Sequence, residues 1–200
     1  MIKNLLAELD DVVPDYEENS LRPGASDSDL DRVSRKFMPY AFPGELRELY
    51  SWHNGSSTSF FPKVPLFGFH FLSLDEGVEM VRVLGEGQYG NSWAKQFFPI
   101  GNMNGELMLA TMSNLSSERA QAYQYVVEDD EACLMHQDLG CMIKTAQFVW
   151  TETAEPGQSV DEIRLRYSPG AYTEAQKGSK NVFGCKNIFE FSSSLPDRLV

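Results

Sequence analysis

At 200 residues and 42% hydrophobic content, the chain is long enough to bury one core without disulfides or a structural metal. Its formal net charge of -12 repels phosphate backbones and anionic headgroups, which excludes nucleic acid and membrane as direct partners and favours a basic one. The opening "MIKNLLAELDDVV" has acids inside its apolar run and no small-residue cleavage site, and no stretch approaches the ~18 apolar residues of a membrane span, so the sequence predicts a cytoplasmic protein. Three cysteines (Cys133, Cys141 and Cys185), an odd count, fit reduced thiols there.

In chain order, residues 1–13 read as an amphipathic helix with Ile2, Leu5, Leu6 and Leu9 on one face, stopped by Pro14. An acidic link then runs to "RPGAS". Residues 1–31 hold nine acids (Glu8, Asp10, Asp11, Asp15, Glu17, Glu18, Asp27, Asp29, Asp31) against Lys3 and Arg22, so most of the net charge lies there. "SDSDLDRVSRKF" predicts a second helix, capped by Ser26 or Ser28, with acids at its positive end and Leu30, Val33 and Phe37 as its stripe. "FPGELRELYSWHNG" predicts a third, with Pro43 in its first turn, Leu46, Leu49 and Tyr50 on one face, and Asn54-Gly55 as a left-handed stop.

A loop over 56–65 leads into "LFGFHFLSL", which alternates like a strand: Phe67, Phe69 and Phe71 on one face, Leu66, His70 and Leu72 on the other. "SLDEGVEMVRVL" predicts a fourth helix, with Ser73 and Glu76 at capping-box spacing, Leu74, Val78, Val81 and Leu84 on one face, and Gly85 as its terminal glycine. "FFPIGNMNGELMLAT" reads as a hairpin turning at Asn104-Gly105. "AYQYVV" and "ACLMHQ" flank the turn "EDDE", and "IKTAQFVWTE" reads as a further strand. "TAEPGQS" reads as a loop, and "NIFEFSSS" as a short terminal strand. Helices first and strands later predict an α+β fold, N-terminal helices packed against a mixed, largely antiparallel sheet.

Motifs for chemistry fail in their surroundings. "GEGQYG" (Gly85–Gly90) matches a dinucleotide loop by letter, but a helix precedes it, and too few residues follow before Phe97-Phe98-Pro99 for the helix that would hold a pyrophosphate. "DSDLD" opens like a calcium loop, yet Arg32 and Met38 stand where that loop needs Gly and Glu. Cys133, His136 and Cys141 resemble zinc ligands in type, but a strand over 132–137 sends Cys133 and His136 to opposite faces. No G-x-S-x-G occurs, and His53, His70 and His136 read as packed or surface histidines unless a Ser or Cys meets one in space. The sequence thus predicts no catalytic residue, no cofactor and no metal.

With those residues set out, "FPGELRELYSWHNGSS", "FLSLDEGVEMVRVL" and "FFPIGNMNGELMLA" resemble, in order and spacing, the SMI1/KNR4 family of the SUKH superfamily. The resemblance covers about residues 21–152, and Pro43, Asn54, Gly55, Pro99, Ile100 and Gly101 match its pattern. The family's usual acid eight or nine residues before the proline is replaced by Arg35 and Ser34. The resemblance implies an α+β fold, no enzyme activity, and a protein-binding role. In bacteria that role is immunity against a cognate toxin, often a nuclease; in fungi, members are interaction proteins in cell-wall signalling. It divides the chain into an N-terminal helix and acidic link (1–20), the family domain (21–152), and a C-terminal extension packed on that domain (153–200). A basic toxin domain is the expected partner. Its expected contacts are Asp10, Asp11, Asp15, Glu17 and Glu18, with Glu128, Asp129, Asp130 and Glu131 of the "EDDE" turn. The alternative is a regulatory or scaffold module with no toxin partner, its acids serving solubility.

Overall fold

The computed structural model describes residues 2–12, 21–57, 69–86, 92–103, 105–113, 118–128, 131–153 and 191–192. Local signals build three of its helices much as the sequence predicts. Helix α1 (Lys3–Val12) buries Leu6 and Leu9, with Ile2 buried just before it. Helix α2 (Asp27–Ser34) starts at Ser26, whose Oγ accepts from the Asp29 N–H at 3.2 Å; it tightens into a 3-10 turn over Arg35–Phe37 and buries Leu30, Val33 and Phe37. Helix α3 (Gly44–Trp52) follows Pro43 at its N-cap and buries Leu46, Leu49 and Tyr50.

Helix α4 (Leu74–Glu86) opens on a reciprocal capping box. The Ser73 N–H donates to Glu76 Oε2 at 2.7 Å, and the Glu76 N–H donates to Ser73 Oγ at 3.3 Å. Ser73→Ala removes one half of that exchange at a buried helix start. It is expected to cost about 1 kcal/mol in urea denaturation; an unchanged midpoint would show that the box carries no weight.

Two sheets complete the fold. Strands β1 (Leu21–Pro23) and β2 (His53–Ser56) pair antiparallel. The larger sheet runs β3 (His70–Phe71), β4 (Phe97–Met103), β5 (Glu106–Thr111), β6 (Ala122–Val126), β7 (Glu131–His136) and β8 (Phe191–Ser192), in that spatial order, with every described pair antiparallel. Gly105 takes φ +92° in the β4–β5 turn, where a side chain would be strained. The architecture is α+β, as the order of predicted elements implies. Of the predicted "mixed, largely antiparallel" sheet, the antiparallel part describes every pair seen.

The core explains the run "FFPIG". Successive strand residues face opposite ways. Phe98 meets Phe42 at 4.8 Å, Phe37 at 5.5 Å and Tyr50 at 5.6 Å between ring centroids. Phe97 meets Tyr123 at 5.5 Å. Both are buried, as are Leu107, Met108, Leu109 and Ala110 in a row on β5, so the sheet centre is covered on both faces. Helix α4 approaches β4 closely: a Cβ on Gly77 would stand 2.5 Å from Phe98 Cζ.

Three local expectations are corrected. "IKTAQFVWTE" is not a strand; it lies within helix α5 (Leu139–Thr153). Its β-branched and aromatic residues imitate a strand, but Leu139, Met142, Ile143 and Ala146 are buried at helical spacing, and Asp138 Oδ1 accepts the Cys141 N–H at 2.7 Å. Asn54-Gly55 does not cap α3, because the chain turns extended at His53 and both residues lie in β2. Gly55 does take the left-handed φ of +83°, for another reason: a Cβ there would lie 2.5 Å from the Ser73 nitrogen. Asn54 Oδ1 accepts the Leu74 N–H at 2.9 Å, so the pair ties β2 to the start of α4. Gly85 sits inside the last turn of α4, which continues to Glu86.

The acidic link after Pro14, most of the loop after Ser57, residues 66–68 of the predicted aromatic strand and residues 154–190 lie outside the described residues. The predicted terminal strand is seen at Phe191 and Ser192, paired to Cys133 and Ala132 of β7.

Candidate partner-binding surface

The acids expected to meet a partner fall on two separate elements. Asp10 and Asp11 are exposed near the C-terminal end of α1, with Glu8 a turn earlier. Glu128 is exposed in the turn that follows β6, and Glu131 opens β7 opposite Val126. That turn is anchored by the Val127 N–H, which donates to the Gly105 carbonyl at 3.2 Å. Asp15, Glu17, Glu18, Asp129 and Asp130 lie outside the described residues.

Asp10 is already engaged: its Oδ2 accepts the indole N–H of Trp52, at the end of α3, at 2.8 Å. The Trp52 ring packs edge-on against His53 at 4.4 Å. His53 Nδ1 lies 2.9 Å from the Arg22 carbonyl, and the Arg22 guanidinium grips both oxygens of Glu76 at 3.2 and 3.3 Å. Asp10, Trp52, His53, Arg22 and Glu76 thus join α1, α3, β2, β1 and α4 at one place. Burial opposes ionisation of Glu76, but its bonds from Ser73 and Arg22 together hold its carboxyl below the usual range.

The acids of α2 behave differently. Arg47 reaches Asp31 at 2.9 Å and Asp27 at 3.7 Å, and Arg32 bridges Asp29 and Asp75 at 3.4 and 3.3 Å. These carboxylates serve the fold's own arginines as well as the helix N-terminus. Exposed pairs of this kind contribute little stability each.

A buried acid sits at the opposite end of α3. Glu45 is 5% exposed, and its Oε2 accepts the N–H groups of Ala120 at 2.9 Å and Leu139 at 3.1 Å. It joins the start of α3 to the segment before β6 and to the first turn of α5. Burial raises its pKa, and the charge of Asp138 adds to that. In sequence, Glu45 looks like an ordinary first-turn acid; nothing local marks it as buried.

The histidines take three roles. His136 is buried on β7, and burial lowers its pKa to about 3. His70 does meet a serine: Ser56 Oγ lies 2.8 Å from its Nδ1 and also donates to the Phe71 carbonyl at 3.3 Å. A hydroxyl has one proton, so both bonds form together only when His70 Nδ1–H donates to the serine. That polarity is the reverse of a base activating a nucleophile, and it makes the pair a clip between β2 and β3.

Cys141 is half-buried and disulfide-bonded, which corrects the expectation of free, reduced thiols. Among the described residues, no group of three or more His, Cys, Asp or Glu could hold a metal ion, and no helix is long and apolar enough to cross a membrane.

Compared with known proteins, residues 24–144 match the SMI1 / KNR4 family (SUKH-1), more than half of the chain. No curated protein matches it.

Proposed function

Because the chain belongs to the SMI1/KNR4 family (SUKH-1), a family of protein-interaction and immunity-type domains, we propose that it is a bacterial immunity protein, non-enzymatic, that binds and neutralises a cognate nuclease-type toxin. The observation that carries this reading is the exposed acid pair Asp10 and Asp11 at the end of α1, on a chain of net charge -12. A nuclease cleft is built to hold phosphates, and carboxylates present the same charge to it. Asp15, Glu17, Glu18, Glu128, Asp129, Asp130 and Glu131 complete the proposed contact set. The proposed site of action is the cytoplasm.

A second reading, a regulatory or scaffold module, draws support from α2, whose acids are taken up by Arg32 and Arg47. An affinity pull-down from the source cell's lysate, read by mass spectrometry, separates the two. Recovery of one basic nuclease-like protein, whose activity the purified chain then blocks, is the expected result. Recovery of signalling or envelope proteins would favour the second reading.

The captured toxin should associate at up to ~10⁸ M⁻¹s⁻¹ in low salt and about tenfold or more slower at 0.3 M salt. A rate indifferent to salt would remove phosphate mimicry from the mechanism.

A further inference from the structure

Trp52 is half-buried at the surface end of α3, and its orientation is fixed from two sides. Its indole N–H is bound to Asp10, and its ring is packed against His53, itself tied to the Arg22 backbone. A tryptophan held this way loses little freedom when something lands on it. Tryptophan and arginine are the side chains that most often dominate binding energy at protein interfaces, and here both stand in one cluster. The charge bonded directly to the ring is negative. Asp10 uses Oδ2 for the indole, which leaves Oδ1 to accept; Asp11 adjoins it; and Arg22, the nearby cation, is held by Glu76. An aromatic face beside a carboxylate is the chemistry that recognises an organic cation, guanidinium above all, through cation–π attraction and a charge-assisted hydrogen bond.

We propose that Trp52 and Asp10 form the centre of the partner-binding surface and receive an arginine side chain of the partner. This rests on the protein-binding reading above and deepens it, changing the expected contact from a diffuse acidic segment to one prepared spot. Asp10 then acts twice, orienting the indole and meeting the cation.

The test needs no toxin. The full chain, labelled with ¹⁵N, is titrated with a synthetic octa-arginine peptide while the tryptophan indole N–H signals are followed; Trp52→Phe assigns the Trp52 signal by its loss. The Trp52 signal should move saturably and further than the other two. Asp10→Asn keeps an oxygen for the indole and removes the charge, and should weaken binding about tenfold. Glu79→Gln makes the same charge change on α4 and should leave binding within twofold. Equal weakening by Asp10→Asn and Glu79→Gln, or a Trp52 signal that stays still while the peptide binds, would overturn the proposal. Peptide binding at Trp52 together with a lysate that yields no toxin would refute the immunity reading and leave this one standing.

Discussion

Acidification from pH 6.5 to pH 4 is expected to cost the fold about 3 kcal/mol through His136 alone. The direction follows from burial. His136 lies inside the protein on β7, where the charged ring is disfavoured, and its pKa falls from 6.5 to about 3. The unfolded chain takes up a proton near pH 6.5 that the folded chain refuses until about pH 3. The stability tied to the neutral ring is therefore complete above pH 6.5 and drains away as pH falls. Each pH unit inside that window costs up to about 1.4 kcal/mol. Glu45 works the other way: its raised pKa means that the folded state binds a proton before the unfolded state does, so falling pH relieves the cost of its buried charge. Urea denaturation at pH 7 and pH 4, on the protein and on His136→Gln, isolates the histidine. The variant should lose about 3 kcal/mol less over that range than the parent. Parallel losses in the two proteins would place the acid sensitivity elsewhere.

Replacing Glu45 by alanine is expected to destabilise the protein by about 2–4 kcal/mol, because two buried N–H groups lose their acceptor at once. Those donors belong to Ala120 and Leu139, which stand 75 and 94 residues beyond Glu45 in sequence. The carboxylate is thus the shared acceptor for two segments that meet α3 at the start of α5. Glu45→Gln keeps an oxygen for both donors and removes a buried charge, so its loss should stay below about 1 kcal/mol. The two substitutions must separate in urea midpoint. If glutamine costs as much as alanine, the charge itself holds the junction, and acceptance of the two N–H groups is not its role.

These two residues show how far the sequence can be read. Helices α2 and α4 are legible because their starts are written within four residues: Ser26 with Asp29, and Ser73 with Glu76. The β4–β5 hairpin is legible because its turn glycine sits between two apolar runs. Helix α5 is misread because Ile143, Thr145 and Val149 have strand propensity, and the burial of Leu139, Met142, Ile143 and Ala146 outweighs it. Asn54-Gly55 is recognised as special but assigned the wrong task, since its neighbour Ser73 is distant in sequence and close in space. The candidate site divides in the same manner. Composition alone exposes the acids of α1. The bond between Asp10 and Trp52 spans 42 residues, and no local pattern carries it.

Helix α1 settles against α5 near the far end of the described chain: the Leu5 carbonyl accepts from Gln147, 142 residues later. On a ribosome adding about 5–20 residues per second, helix α1 waits on the order of 10 s for that neighbour. Throughout that interval Ile2, Leu6 and Leu9 lack the cover that α5 supplies in the folded chain. The nascent chain therefore carries a sticky amphipathic helix until synthesis is well advanced, and its yield in a cell depends on what shields that helix in the meantime.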